Sequence, residues 1–274
     1  MRWVFALLAA PLLAQTTPSL EQIVERAFAA DVRNEELAKN YTYTERAEER
    51  KLDSDGAVKD VESKTYDVSY VYGEEYHRLI ARDGEALPPK EAAKEQEKLD
   101  KAVEKRAGES EKEREKRLEK ARKRDEEVRK MRAEVVKAFD FTLEGEEALD
   151  GVLCWRIRAE PKEGYEPEFS KAKFLTKLRG RFWIAKSDYG WVRTEAETID
   201  TASFGLFLLK LQKGAQMEFN QVKVNDEVWL LDGLRLRFDA KVALIKGLRR
   251  EVQVAWDDFK KFTAESRIIT DVTP

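Results

Sequence analysis

Leu234-Arg235-Leu236-Arg237-Phe238 places an apolar side chain at every second position, and Val252-Gln253-Val254-Ala255-Trp256 does the same with Val252, Val254 and Trp256. Successive side chains of an extended strand point to opposite faces, so a period of two sorts each segment into one oily face and one wet face. Antiparallel sheets commonly leave one face in water, whereas parallel sheets bury both and read as continuous apolar runs. The two segments therefore predict strands of a one-sided antiparallel sheet.

The pattern recurs outward in both directions. Gln216 to Val224, Glu227 to Leu231 continuing as Leu234 to Leu244, and Arg249 to Phe259 read as successive strands. Before them, Phe182-Trp183-Ile184 and Trp191 to Glu197 flank Lys186-Ser187-Asp188-Tyr189-Gly190 as a hairpin, and Phe139 to Leu143 and Val152 to Ala159 surround the turn Asp150-Gly151. Nearer the N-terminus, Tyr41-Thr42-Tyr43-Thr44 runs toward the hairpin signal Asp55-Gly56, and Val61 to Tyr72 and Tyr76 to Arg82 continue the meander. Ser19 with Gln22 makes a capping box, and Leu20, Ile23, Val24, Ala27, Phe28 and Val32 follow at helical spacing. Residues 19–38 thus predict an amphipathic helix, and the fold class is α+β.

Pro88-Pro89 interrupts the meander, and 32 of the 49 residues from Lys90 to Ala138 are charged with mixed sign. Pairs such as Glu97/Lys101, Glu119/Lys123 and Glu126/Lys130 stand at the favourable four-residue spacing, which argues for solvated helix. Gly108 can end one helix, and Ser110 with Glu113 opens another, so residues 89–138 predict an inserted charged helical hairpin. Leu99 and Leu118 lie nearly equally far from its turn and could touch; one long helix is the alternative. Residues 15–88 and 139–274 then form a single β domain around the insertion.

Arg2 followed by the apolar run Trp3 to Ala14 and the polar Gln15 has the layout of a secretory signal peptide. The run is well short of the ~20 residues that a bilayer-spanning helix needs. Residues 1–14 are expected to be removed on export, leaving a periplasmic protein. The chain's one cysteine, Cys154, is far from that cleavage site, so a lipid-anchored form is not expected, and Val152-Leu153-Cys154-Trp155 reads as a buried strand. A net charge of −3 argues against a dedicated nucleic-acid binder.

If consecutive strands alternate in direction, Phe204-Gly205-Leu206-Phe207-Leu208-Leu209-Lys210-Leu211 and Val242-Ala243-Leu244-Ile245-Lys246-Gly247-Leu248 arrive at the same end of the sheet. Connections are normally polar, and clustered apolar surface marks a ligand mouth, a membrane or a partner. Phe204, Leu206, Phe207, Leu208, Leu211, Val242, Leu244, Ile245 and Leu248 are therefore the candidate mouth, with edge strands covering the core as the alternative. Trp183, Trp191 and Trp229 are candidate cavity-lining residues; ordinary core packing accounts for them equally well.

Signals for chemistry are weak. The single histidine, His77, sits mid-strand, where a surface or lining role outweighs that of a catalytic base. One histidine and one cysteine cannot supply a normal zinc shell without carboxylates, and no GxSxG, HExxH or phosphate-cradling glycine loop occurs. Asp53-Ser54-Asp55-Gly56 opens like a calcium loop, yet Lys64 stands where its bidentate glutamate belongs. No catalytic residue, metal or cofactor is predicted.

Gly180-Arg181-Phe182-Trp183-Ile184-Ala185-Lys186, Trp191-Val192-Arg193-Thr194-Glu195-Ala196-Glu197, Val224-Asn225-Asp226-Glu227-Val228-Trp229-Leu230 and Trp256-Asp257-Asp258-Phe259-Lys260-Lys261-Phe262 resemble successive strands of the LolA-like periplasmic proteins, which include the outer-membrane lipoprotein carrier and its receptor. The resemblance covers roughly residues 19–87 and 139–270. It implies a strongly curved sheet, an incomplete barrel whose concave apolar face is closed by helices and holds acyl chains. A non-enzymatic carrier sheltering a lipid, an acyl chain or a lipidated protein is the leading expectation, with peripheral membrane contact. An envelope interaction scaffold working through residues 89–138 is the alternative. The chain departs from the family in that charged insertion and in lacking the receptor's lipid-attachment cysteine.

Overall fold

The computed structural model describes residues 18–204, 209–242 and 246–262. Among these residues the chain forms β1 (Tyr41–Leu52), β2 (Val58–Val71), β3 (Glu74–Arg82), β4 (Glu85–Ala86), β5 (Phe139–Leu149), β6 (Val152–Pro161), β7 (Leu178–Ala185), β8 (Trp191–Thr198), β9 (Ala202–Phe204), β10 (Leu209–Leu211), β11 (Gln216–Val224), β12 (Val228–Val242) and β13 (Lys246–Lys261). All pair antiparallel in one curved sheet that is not closed into a barrel; its order is β4-β3-β2-β1-β13-β12-β11-β8-β7-β6-β5. β1 pairs with β13, so the two ends of the strand sequence meet in the middle of the sheet. Because β12 outruns β11, the short β9–β10 hairpin adds to it beyond β11. The hairpin matches the edge-strand alternative for Phe204 to Leu211, whereas no local sequence signal points to the 3-10 helix Ser170–Lys177.

Local chemistry explains the elements. Helix α1 (Leu20–Ala38) starts where Ser19 Oγ accepts the Gln22 N–H at 3.2 Å and Gln22 Oε1 accepts the Ser19 N–H at 3.0 Å. The β1–β2 turn closes on the Asp53 carboxylate, which accepts the N–H groups of Asp55 and Ala57 at 2.9 Å each, while Gly56 takes the left-handed φ of +85° that its lack of a Cβ permits.

The charged insertion forms α2 (Pro89–Ala107) and α3 (Glu111–Ala138), with the Ser110/Glu113 capping box opening the second helix. Glu109 holds the turn, accepting Arg117 Nη2 at 2.9 Å and Arg106 Nη1 at 3.4 Å. Leu118 remains 41% exposed, so it is no seam of the pair. Instead α2 is tied to β3: Arg82 donates to Glu91 at 2.7 Å, Arg78 to Gln96 at 3.4 Å, and Arg106 to Glu74. The last turns of α3 dock elsewhere, with Met131, Val135 and Ala138 packing on Phe139, Ala172, Leu175 and Leu178. Arg132 bridges to Asp31 at 3.0 Å and Glu35 at 2.9 Å on α1.

One carboxylate locks that docking. Glu134 is buried and accepts the Tyr165 O–H at 2.6 Å and the Phe169 N–H at 2.8 Å; the tyrosine hydrogen bond, ahead of the backbone one, holds its carboxyl below the ordinary 4.5. A group whose folded pKa is depressed contributes stability above its unfolded pKa and loses it as pH falls through the folded value. Glu134→Ala is therefore expected to lower Tm by roughly 3–8 °C near pH 7. In a pH series of thermal melts, the gap between wild type and variant should close below about pH 4.5; a gap that stays constant into acid would refute this role.

Candidate functional site

Residues directly opposed across strands share a face, so the pairing register reads out each face of the sheet. One row runs Leu143, Ile157, Phe182, Thr194, Phe219, Leu234, Val254, Ala47 across β5-β6-β7-β8-β11-β12-β13-β1. Its neighbour runs Phe141, Ala159, Gly180, Ala196, Met217, Leu236, Val252. On the opposite face the row is Arg158, Arg181, Glu195, Glu218, Arg235, Gln253, and the next is Arg179, Glu197, Gln216, Arg237, Glu251, Arg50. The sheet is oily on one side and a chequer of arginine and glutamate on the other.

Helices cover only part of the oily side. Ile23, Val24, Ala27 and Phe28 of α1 bury Trp155, Ile157, Ile184 and Trp191 over β6–β8. The 3-10 helix and the end of α3 cover the β5–β7 end. Farther on, Phe219, Leu234, Leu236, Val252 and Val254 are only half-buried. Beside the middle of α1, a groove of about 180 Å3 lies between Asp31 and Trp191, Arg193, Thr194, Phe219, Gln221 and Leu231. Burial raises the Asp31 carboxyl at its lip above the ordinary value, against the pull of Arg132. A second groove of about 180 Å3 under α1 is lined by Asn34, Leu37, Trp191 and Trp229.

The apolar tips named from the sequence are brought together as far as their backbone is described. Phe204 pairs with Leu209, Leu209 with Val242, and Val242 with Lys246, so four strand ends lie side by side. Leu206, Phe207, Leu208, Leu244 and Ile245 lie outside the described residues, as do residues 1–14. Leu211 is buried with Ala215, Ala240 and Phe238, and Leu248, opposite Ala240, is half-buried. This corner continues the oily face, because Phe238 and Ala240 share a side with Leu234 and Leu236 by two-residue spacing.

Three placements differ from expectation. Trp183 does not join Trp191: it pairs with Arg193 on the opposite face, packs with Cys154, Ala185, Val192 and Trp229, and donates its indole N–H to Glu147 at 3.0 Å. Hairpin register decides this, since neighbouring Ile184 and Trp183 must point to opposite sides. A cleft of about 780 Å3 opens on the charged face, whereas the two grooves beside α1 are about 180 Å3 each. Long arginine and glutamate side chains stand off a bare sheet and leave space between them, whereas α1, the 3-10 helix and the end of α3 fill the β5–β8 part of the oily side. Finally, Phe219, Leu234, Leu236, Val252 and Val254 were not singled out as site residues, although the alternation that marks four of them is the plainest signal in the chain.

The remaining candidates for chemistry are structural. Cys154 is buried, and burial pushes its thiol up to about 11. His77 is exposed between Glu45 (3.8 Å) and Glu75 (3.9 Å), beside the ring of Tyr66.

Trp229 fixes the α1 edge of the site. Its N–H donates to Asn34 Oδ1 at 2.6 Å, its carbonyl accepts Asn34 Nδ2 at 2.5 Å, and its indole N–H donates to Asp188 at 3.1 Å. The ring lies so close to Gly190 that a Cβ there would stand 2.0 Å from Nε1. Gly190→Ala is expected to displace the indole and cost about 1–3 kcal/mol, seen as a lowered denaturant midpoint and an altered near-ultraviolet tryptophan signal; an unchanged spectrum would show that the close approach is not required.

The fold and this face define a class: a curved, open, antiparallel sheet with one apolar side that its helices only partly cover. No family model matches the chain, and no curated protein matches it. Among solved structures it is similar to a putative outer membrane lipoprotein-sorting protein domain from Vibrio parahaemolyticus, at 11% identity over 90% of this chain and 94% of that one, with a TM-score of 0.38. It is also similar to a LolA superfamily protein from Nitrosomonas europaea, at 10% identity over 90% and 95% of the two chains, with a TM-score of 0.30. A DUF1329 family protein from Desulfovibrio piger is 15% identical over 88% and 94%, with a TM-score of 0.27.

Proposed function

We propose that the protein is a non-enzymatic carrier of the bacterial envelope, which shelters an acyl chain of a lipid or lipidated protein on the oily face between α1 and β1. The single observation behind this reading is the half-exposed platform of Phe219, Leu234, Leu236, Val252 and Val254, continuous with the corner at Leu211 and Leu248. The N-terminal export layout and the sequence resemblance agree with it. Desolvation contributes roughly 0.8 kcal/mol per methylene, so ten methylenes supply about 8 kcal/mol. Association costs on the order of 4–15 kcal/mol, which offsets half or more of that gain and keeps the hold on one chain weak and reversible, as a carrier requires.

Leu236→Asp with Val252→Asp places two charges in the platform. Uptake of a fluorescent fatty acid by the full chain is expected to fall at least about tenfold, since each charge loses apolar burial and must be desolvated. Native mass spectrometry should also find lipid on the wild type and none on the variant. Lipid-free wild type that takes up no fatty acid would end this reading.

A second reading, interaction through the arm, is favoured by Lys112, Lys116, Lys120 and Arg124 of α3. They recur at four-residue spacing, all exposed and without an ion pair among the described residues. Like charges at that spacing cost a helix about 0.2–0.5 kcal/mol per pair. Under this reading Lys116→Gln, Lys120→Gln and Arg124→Gln together abolish capture of an acidic partner and leave fatty-acid uptake unchanged; uptake lost along with capture would count against a separate role for the arm.

A further inference from the structure

On the charged face, nearly every acid that lines the large cleft already has a cation. Glu197 holds Arg179 at 2.9 Å, Glu160 holds Arg158 at 3.6 Å, and Glu251 holds Arg50 at 3.5 Å. Glu218 accepts Arg193 and Asn220, both at 3.0 Å, and Glu195 lies 3.9 Å from Arg193. Arg235 and Arg237 are exposed in the same cleft, and neither guanidinium makes a hydrogen bond or ion pair among the described residues. Glu218, the cross-strand partner of Arg235, feels its charge but is already engaged by Arg193 and Asn220.

Arg237 and Gln216 also line an adjoining cleft of about 370 Å3, where Lys213 is likewise unpaired among the described residues and Arg249 is spent on Asp239 at 2.7 Å. The linings are close to neutral; of their acids, Asp55 alone makes no ion pair or hydrogen bond through its carboxylate among the described residues, against three such cations, Arg235, Arg237 and Lys213. Arg235 and Arg237 stand two residues apart on one side of β12, about 7 Å along the strand, so two rigid forks face one space. Guanidinium forks match the oxygens of phosphate in paired hydrogen bonds. Around them, Glu195, Glu197 and Gln216 offer acceptors suited to hydroxyl groups. A cleft of about 780 Å3 has the size of a small-molecule site.

We propose that this cleft binds a small phosphomonoester with a hydroxyl-bearing body, its phosphate held by Arg235 and Arg237 and its hydroxyls by the neighbouring acids and Gln216. The site faces away from the acyl platform, so the proposal does not rest on the carrier reading. It is tested on the full chain by calorimetric titration with glucose 1-phosphate, inorganic phosphate and glucose, and by flotation with vesicles of phosphatidic acid. Glucose 1-phosphate is expected to bind saturably, about tenfold or more tighter than either inorganic phosphate or glucose, and to weaken as salt rises. Arg235→Gln with Arg237→Gln should abolish that binding while fatty-acid uptake and the far-ultraviolet spectrum stay unchanged. Lys64→Gln, on the other face, should leave it intact. The proposal is overturned if no saturable binding occurs, if inorganic phosphate binds as tightly, if the double variant binds like wild type, or if only the vesicles are bound.

Discussion

Everything in this structure depends on one constraint: side chains alternate across a pleated backbone, and the pairing register carries that alternation from strand to strand without losing phase. Leu234 lies between Phe219 and Val254, and Leu236 between Met217 and Val252, so apolar residues far apart in the chain become one surface. The same register places Arg235 between Glu218 and Gln253 on the reverse side. A slip of one residue in any central pair would turn arginines into the helix-covered layer and leucines into water. Bulges at Asn220/Gln221 and Trp183/Ile184 bend the strands and rejoin the register.

The helical elements are fastened to this sheet by quite different means. α1 buries an apolar stripe and adds the paired Asn34–Trp229 contact, so it belongs to the core. α2 buries no residue and is held at β3 by arginine contacts, while α3 is anchored only through its last turns. Surface ion pairs contribute little each, so the arm's attachment is weaker than that of α1, and much of α3 faces solvent. Part of the oily face, from Phe219 to Val254, stays half-exposed, and the proposed acyl-chain site rests on it. The charged face, by contrast, is satisfied largely by ion pairs within and between its strands, and Arg235 and Arg237 of β12 are exceptions among the described residues.

Much of this was legible in the residues. The capping boxes at Ser19 and Ser110, the turn at Asp55-Gly56 and the alternation of β12 and β13 are local, and the structure forms each where the local chemistry asks for it. The candidate site was legible only in part. Apolar tips stand out in a sequence because connections are normally polar, whereas Leu234, Leu236, Val252 and Val254 read as ordinary strand interior. Nothing in one strand tells whether a helix will lie on it. Trp183 shows the same limit: adjacent to Ile184, it falls on either face according to a hairpin register that no short segment specifies.

Local sequence carries the long strands, α1 to α3 and the two-sided chemistry, because backbone period, turn stereochemistry and capping act between residues a few positions apart. The tertiary structure sets β1 against β13, leaves Phe219 half-buried beside α1, opens a cleft of about 780 Å3 on the charged side, and leaves Arg235 and Arg237 without partners among the described residues. Those outcomes depend on contacts between residues hundreds of positions apart, where the choice among partners is made by packing and by competition for charge.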